Sequence, residues 1–236
     1  MKNRHYIFEN SWNIRDLGGY TAVTGEKTRP YKFIRGTGSG SLSLVDKELL
    51  YNDGIRVIID LRLPYETDKV AHSLKGYRDI RYYNVDLIQH LWPKLDGVYN
   101  DLSDLYVDVI ENCQHRFFQV FEIILQNDSD GIYFSCTAGK DRTGLIAMML
   151  LLLAGVEHSE IVANYAESFK NNLPMMERGE KPTPKQLKFF YSEPDYIKRA
   201  IALIEEKYLG IHGYLKTIGL SDHQIERLTS LIIDRN

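Results

Sequence analysis

The sequence has few cysteines and little net charge, and each absence excludes a class of protein. Among its 236 residues only Cys113 and Cys136 carry a thiol. Two thiols cannot build the disulfide framework of a small secreted domain, nor a set of paired zinc ligands. The formal charge is only −3, so the chain lacks the broad basic surface that nucleic-acid binding uses. We therefore expect no nucleic-acid partner.

Long apolar segments are also missing. The longest apolar stretch, residues 145–154, is about half as long as a membrane-spanning helix requires. Residues 1–10 are polar and lack the apolar core of a signal peptide. We expect a cytoplasmic monomer without an integral membrane segment, and secretion without a leader stays open as an alternative.

Strand-like and helix-like segments alternate along the chain. Continuous β-branched or aromatic segments are typical of central parallel strands, and longer periodic segments are typical of helices. The predicted strands are 31–36, 56–62, 80–87 and 131–135, and the predicted helices are 43–54, 105–127, 142–153, 158–172, 195–210 and 221–236. Ser43 is the expected helix cap. The pattern predicts one α/β domain over residues 1–236, with a mostly parallel central sheet flanked by helices.

Residues 173–194 interrupt the helical second half of the chain. They contain four of its seven prolines, at positions 174, 182, 184 and 194. Proline removes a helical hydrogen bond, so we expect a mixed and mobile insertion there.

The most informative stretch is IYFSCTAGKDRTG, residues 132–144. A buried strand ends at a thiol, a short polar loop follows, and an apolar helix begins. Loop N–H groups and a helix N-terminus together direct donors at one spot and favour negative charge there. This strand–loop–helix order predicts an anion-binding site.

Four residues of this stretch give the expected site its chemistry. Gly139 lets the backbone close around a ligand. Arg142 offers a planar fork to two phosphate oxygens, and Lys140 adds a point charge. The same surroundings favour the thiolate form of Cys136. A thiolate that faces a bound phosphate is a nucleophile with its substrate in place.

Other interpretations of such loops fit less well. A nucleotide P-loop requires Gly at 134 and Ser or Thr at 141, where Phe134 and Asp141 stand. The glycines at 36–40 do not make a dinucleotide fingerprint, because Ser41 occupies the place of the last glycine. An inert buried cysteine does not account for the arginine and threonine that follow Cys136 at fixed spacing.

The segment CTAGKDRTG resembles the C-x5-R-S/T signature of cysteine-dependent tyrosine phosphatases. More narrowly, the chain resembles the bacterial tyrosine and dual-specificity branch, which includes secreted mycobacterial and listerial phosphatases. NIRDLGGY (13–20) is similar to its N-x-R-D motif, RVIIDLR (56–62) to its central strand, and YNVDL (83–87) to the loop that follows. IHGYLKTIGLS (211–221) is similar to its G-Y-L motif, so the resemblance spans most of the chain.

This resemblance implies a phosphatase α/β core with a helical lid at about 165–200. It also implies that Cys136 is the nucleophile and that no metal or cofactor takes part. The residues expected to bind phosphate beside Arg142 are Thr137, Ala138, Gly139, Lys140, Thr143 and Gly144. One departure is Ser135, where the family usually has histidine. Serine can donate a hydrogen bond but cannot carry a positive charge.

Two aspartates are candidates for the general acid that protonates the leaving oxygen. Asp141 lies in the loop, and relatives with this loop have been thought to use it. Asp86 in YNVDL matches an aspartate that the family places at the mouth of the site. Asp141 could instead brace a cation, and Asp86 could be a solvated or capping acid. LWPKLD (91–96) matches the W-P-D loop of larger relatives only by chance, since its spacing differs.

Other polar residues near these motifs are expected to be structural. Arg15 and Asp16 would brace the N-terminal segment over the loop, and Asp60 and Arg62 would form an ion pair. Cys113 is expected to be an ordinary thiol. The seven histidines show no i, i+4 pair at an identifiable site, so the sequence implies no metal.

The sequence therefore predicts a metal-independent phosphomonoesterase. A phosphotyrosine protein is the expected substrate, and phosphoserine, phosphothreonine and phosphoinositides are further candidates. Lys140 bears on the lipids, since it would either bind a second phosphate or pair with Asp141. A non-catalytic phosphate-binding pseudophosphatase is the main alternative, supported by Ser135. A rhodanese-type sulfur transferase would not need Lys140, Asp141 and Arg142 in succession.

Overall fold

Six strands form the central sheet of the computed structural model, which describes residues 5–88, 91, 98–178 and 190–234. Their order across the sheet is β1 (His5–Tyr6), β2 (Ile14–Asp16), β4 (Phe33–Thr37), β7 (Gly131–Cys136), β5 (Ile55–Asp60) and β6 (Arg81–Asn84). The last four run parallel, and β1 and β2 pair antiparallel at one edge. The short β3 (Lys27–Thr28) and β8 (Ile233–Asp234) form a second sheet.

Helices cover the sheet and complete the chain. They are α1 (Leu44–Asn52), α2 (Pro64–Lys69), α3 (Leu102–Asn112), α4 (Gln114–Gln126), α5 (Asp141–Leu153), α6 (His158–Arg178), α7 (Pro194–Tyr208), α8 (Ile211–Thr217) and α9 (Asp222–Ile232). The predicted α/β fold with a mostly parallel, helix-flanked sheet is confirmed. Ser43 caps α1 as expected, since its side chain accepts from Asp46 N and Asp46 accepts from its backbone.

Strand β7 divides the interior into two apolar clusters. Ile132, Phe134 and Cys136 belong to the larger cluster, which packs under α3 to α9. Tyr133 belongs to the smaller cluster on the other face, with residues of β1, β2 and α1. Successive strand side chains point to opposite faces, so Ser135 points away from Cys136.

The parallel register brings three strand ends together at one edge of the sheet. Thr37 of β4 lies opposite Cys136, and Asp60 of β5 lies opposite Ser135. Ligand sites of open α/β sheets lie at this carboxyl edge, so the candidate loop occupies the expected place.

Three predicted helix boundaries are wrong. The helix expected over 221–236 ends at Ile232 and is followed by β8. The helix expected over 105–127 is two helices that meet at Cys113. The break lets α3 pack on α7 while α4 packs on α9. The helix expected to end at 172 continues to 178 and includes Pro174. Pro174 has no N–H to donate to the carbonyl oxygen one turn earlier, so α6 continues through it with one backbone hydrogen bond fewer. Residues 179–189 and most of LWPKLD lie outside the described residues.

No described helix is long and apolar enough to cross a membrane.

A buried histidine lies on the face of the sheet opposite Cys136. The ring of His72 packs edge-on against Tyr133, with the centroids 5.5 Å apart, and its Nδ1 accepts from Leu74 N at 3.2 Å. Burial lowers the pKa of His72 from its ordinary 6.5 to about 4; Asp60 opposes this shift, while Arg62 and Lys47 add to it. The native state therefore holds the neutral imidazole.

We predict that His72 makes the fold less stable in mild acid. Between pH 6.5 and 4 the unfolded chain takes up a proton that the native state does not, so stability falls as pH decreases. For this group alone the fall reaches about 3 kcal/mol. Urea unfolding of His72→Gln across this range should show a shallower decline than wild type. His158→Gln, at an exposed site, should keep the wild-type decline. Equal slopes in H72Q and wild type would contradict the buried neutral histidine.

Candidate active site

The thiol of Cys136 lies at the end of β7, below a four-residue loop that leads into α5. The residue is buried, with 1% of its surface exposed. Residues 137–140 form the loop, and Asp141 starts the helix. The predicted strand–loop–helix arrangement around the thiol is therefore present in the structure.

Gly139 is required by the shape of the loop. Its φ is +63°, a conformation that side-chain-bearing residues rarely adopt. A Cβ at this position would lie 2.4 Å from the carbonyl carbon of Gly36 in β4. Only glycine therefore lets the 137–140 loop approach the neighbouring strand.

The carbonyl oxygens in the first half of the loop are held by side chains outside it. Thr137 O accepts from the hydroxyls of Thr37 and, at 2.8 Å, Ser39. Ala138 O accepts from the amides of Asn13 and Asn172, both at 3.0 Å. Asn13 itself has a left-handed backbone with φ +56°, which asparagine tolerates better than most residues.

The carbonyl oxygens in the second half of the loop are held by side chains and by the backbone of α5. Gly139 O accepts from Asn13 Nδ2 at 3.0 Å and from Arg35 Nη2 at 2.8 Å. Lys140 O accepts from Gly144 N at 2.7 Å. Because a trans peptide places its N–H opposite its C=O, fixing these carbonyls outward turns the N–H groups of residues 138–140 inward. This is the geometry of an anion-binding nest.

Glu66 orients the arginine of the signature and was not predicted from the sequence. Its Oε2 is 2.6 Å from Arg142 Nη1 and its Oε1 is 3.0 Å from Nη2, a fork-to-fork pair. Glu66 also accepts from Leu63 N at 2.8 Å and from the Thr137 hydroxyl. Burial raises the pKa of Glu66, but the contacts with Arg142 and Thr137 outweigh it, so the pKa lies below its ordinary value. Arg142 is thus fixed from outside the loop.

Asp141 is tied to two tyrosines and a lysine. Its Oδ1 accepts from the hydroxyl of Tyr106, which lies 2.7 Å from the hydroxyl of Tyr165. The ammonium of Lys140 is 3.3 Å from the same oxygen. Burial, and then the negative charge of Asp141, raise the pKa of Tyr106, so this phenol stays a donor. These contacts link the start of α5 to Tyr106 on α3.

Lys140 faces the protein interior. Only 3% of the residue is exposed. Besides Asp141, its ammonium contacts the carbonyl oxygen of Tyr191 at 2.9 Å, just before α7. The lysine therefore connects the 137–140 loop to the segment that precedes α7.

Asp86 is the other predicted acid, and its surroundings differ from those of Asp141. It is buried, and its Oδ1 has no hydrogen-bond partner in the described part of the chain. Burial raises the pKa of Asp86 above its ordinary value, although Ile88 N, Arg116 and Arg142 oppose this. The electrostatic influence of Arg142 and Glu66 places Asp86 near the site.

Three further predicted positions have distinct environments. Thr143 is buried, and its hydroxyl has no partner among the described residues. Gly144 makes room for Tyr165, whose ring would be 3.1 Å from a Cβ there. The hydroxyl of Ser135, also without a described partner, faces Gly38 on the opposite side of the sheet from the thiol.

The residues that we expect to have structural roles lie outside the 137–140 loop. Arg62 and Asp60 form a buried ion pair, with Nη2 and Oδ2 2.6 Å apart. Asp16 accepts from the backbone N–H groups of Gly18 and Tyr31. Arg15 contacts α6 behind the loop, and Cys113 is buried where α3 meets α4. Among the described residues no group of three potential metal ligands occurs.

Sequence comparisons with known proteins agree with the signature. A model described as the tyrosine phosphatase family matches residues 6–234. A tyrosine-protein phosphatase of Nostoc commune is 30% identical over 214 residues, 83% of this chain and 72% of that protein. The triple specificity protein phosphatase PtpB of Mycobacterium tuberculosis is 25% identical over 117 residues, 42% of each chain. The crystal structure of P. aeruginosa TpbA aligns with a TM-score of 0.38 at 9% identity, over 86% of this chain and 97% of that one.

The family match covers nearly the whole chain, including the strand, loop and helix around Cys136. The resemblance seen in the sequence is thereby confirmed, and the chain belongs to the tyrosine phosphatase family of hydrolases.

Proposed function

We propose that the protein hydrolyses phosphotyrosine through a cysteinyl-phosphate intermediate formed on Cys136. One observation carries the proposal. The thiol lies at the base of a loop whose carbonyl oxygens are all fixed outward, with Arg142 held beside it by Glu66. Inward N–H groups and a guanidinium fork together suit the three equatorial oxygens of a transferring phosphoryl group.

The proposed reaction has two displacements at phosphorus. The Cys136 thiolate forms the S–P bond while the bond from phosphorus to the tyrosyl oxygen breaks, and a general acid protonates that oxygen. Water then attacks phosphorus, the S–P bond breaks, and the same group, now ionised, accepts a proton from the water. Inorganic phosphate and the free tyrosine are the products.

We infer that Asp86 is the general acid and that Asp141 anchors the loop. A general acid must be protonated before transfer, and burial favours the neutral form of Asp86. Asp141 accepts from the Tyr106 hydroxyl of α3 and lies beside Lys140, contacts that anchor the end of the loop. The two aspartates would thus have separate roles.

We also infer that the predicted lid, of which the structure describes residues 165–178 and 190–200, covers the loop within one domain over 1–236. Asn172 of α6 donates to Ala138 O, and Tyr191 O accepts from Lys140. Both contacts would help to fix the loop while leaving the thiol to the substrate.

Phosphotyrosine is favoured over phosphoinositides as the substrate class. A lysine that binds a second lipid phosphate must reach the ligand, whereas Lys140 is buried against Asp141 and Tyr191. The relative PtpB is named for triple specificity, and phosphoserine and phosphothreonine are the further substrates that we propose for the same site.

We predict that Cys136→Ser lowers turnover of p-nitrophenyl phosphate by at least about 1,000-fold, because the nucleophile is lost. Tungstate binding should persist in this variant, since the loop and Arg142 remain. Arg142→Ala should damage both turnover and binding. Substantial activity in Cys136→Ser would contradict the nucleophile assignment. A wild-type chain that binds tungstate without turning over any phosphomonoester would instead support the pseudophosphatase alternative.

The acid can be identified by changing the leaving group. Asp86→Asn should slow the hydrolysis of phenyl phosphate, whose phenoxide is a poor leaving group, by about 100-fold. The hydrolysis of p-nitrophenyl phosphate should slow far less. Asp141→Asn is the matched control and should slow both esters by similar factors, because it loosens the loop. The steeper leaving-group dependence in Asp141→Asn would reverse the assignment.

Lys140→Ala tests the lipid hypothesis. If the lysine connects the loop to the segment before α7, the variant should lose activity on a phosphotyrosine peptide and on a phosphoinositide in equal proportion. Both assays need the same salt concentration, since salt screens exposed charges. Lys216→Ala, at an exposed site, should leave both rates unchanged. A much larger loss on the phosphoinositide would show that Lys140 contacts lipid phosphate.

A further inference from the structure

Two fully buried arginines converge behind the 137–140 loop. Arg15 comes from β2 and Arg35 from β4, and neither has measurable exposed surface. Both contact Asn164 and Ser168 of α6. Arg35 alone reaches the loop, since its Nη2 donates to Gly139 O at 2.8 Å and to Lys140 O at 3.4 Å.

Among the residues that the structure describes, no carboxylate contacts the charge of Arg35. Its hydrogen bonds all end on uncharged oxygens, two of the loop backbone and two of α6 side chains. No carboxylate in the described ranges lies within 4.0 Å of its guanidinium. The acid nearby, Glu167, is 3.6 Å from Arg15 and is shared with His5 at 3.1 Å.

Other cations around the loop differ in this respect. Arg142 has Glu66, and Lys140 has Asp141. A buried charge is costly unless an opposite charge compensates it, and uncharged acceptors do this only in part. The pKa of Arg35 reflects this partial compensation. Burial lowers the pKa to about 10, while the Tyr20 and Cys136 side chains oppose the shift. The region behind the loop therefore attracts a negative charge.

We propose that Arg35 is a positioning residue whose buried charge attracts the substrate dianion into the 137–140 loop. The bound phosphate supplies a negative charge that compensates the charge of Arg35. The hydrogen bond from Arg35 to Gly139 O keeps the adjacent N–H groups turned toward the phosphate. This role rests on the phosphatase function proposed above. It also provides, from a neighbouring strand, the buried cation that Ser135 cannot provide before the nucleophile.

Two substitutions separate charge from hydrogen bonding. Arg35→Lys keeps the charge but loses the planar fork, whereas Arg35→Gln keeps amide donors and loses the charge. Lys32→Gln is the matched control, because it removes a buried cation next to the opposite end of β4, where the Lys32 ammonium contacts the carbonyl oxygens of Asp128 and Asp130. Circular dichroism and thermal unfolding establish that each variant is folded. If Arg35→Gln does not fold, Arg35→Met is used in its place. The apolar methionine side chain fills a similar volume without a charge.

The readout is the affinity for two tetrahedral oxyanions that differ in charge, dianionic tungstate and monoanionic perrhenate, measured by calorimetry at fixed salt. A Coulombic contribution is proportional to ligand charge. Arg35→Gln should therefore weaken tungstate about tenfold and perrhenate about threefold. Arg35→Lys should recover most of both losses, and Lys32→Gln should change either affinity less than twofold.

Two other results would overturn the inference in distinguishable ways. Equal losses for both anions, not recovered by lysine, would show that Arg35 only braces the Gly139 carbonyl. Wild-type protein that binds neither anion would contradict the anion site itself, and the proposed function with it.

Discussion

The site depends on one constraint, that the carbonyl oxygens of residues 137–140 are held away from the thiol. The donors come from separate parts of the chain, including Asn13 before β2, Arg35 on β4 and Asn172 on α6. Gly139 makes the arrangement possible, since its positive φ and missing side chain let the loop lie against β4. Each outward carbonyl turns the next N–H inward. The anion site is therefore a property of the whole fold, in which the loop's own sequence is one part.

Charge around this loop is divided between groups that have partners and groups that do not. Arg142 and Lys140 are each fixed by a carboxylate, which orients them but neutralises part of their field. In the described part of the chain Arg35 contacts no carboxylate and Asp86 forms no ion pair, and burial shifts the pKa of each group toward its neutral form. This shift suits the proposed role of Asp86, because a general acid must be protonated before it can donate its proton. The buried charge of Arg35 attracts a negative charge, and a bound phosphate dianion supplies one.

Local patterns in the sequence were sufficient for the four parallel strands and the loop, but they did not predict the edge strands β1 and β2. The continuous apolar segment before Cys136, the glycine and the apolar helix after it predict β7, the loop and α5, and the Ser43 cap predicts the start of α1. Long-range contacts decided the rest. Nothing local at Cys113 marks the break between α3 and α4, which follows from their different packing partners. Glu66 had only a weak signal, its place just after a central strand, and its pairing with Arg142 is visible only once β5 and β7 are adjacent.

The account rests on a covalent bond between phosphorus and the Cys136 sulfur. The most direct test is to mix the wild-type protein with a phosphotyrosine peptide, quench in acid within milliseconds, and map the digested chain by mass spectrometry. We predict a phosphoryl group on the peptide that contains Cys136 and none on the peptide that contains Cys113. Full turnover of the substrate with no phosphoryl group on Cys136 at any quench time would contradict the mechanism.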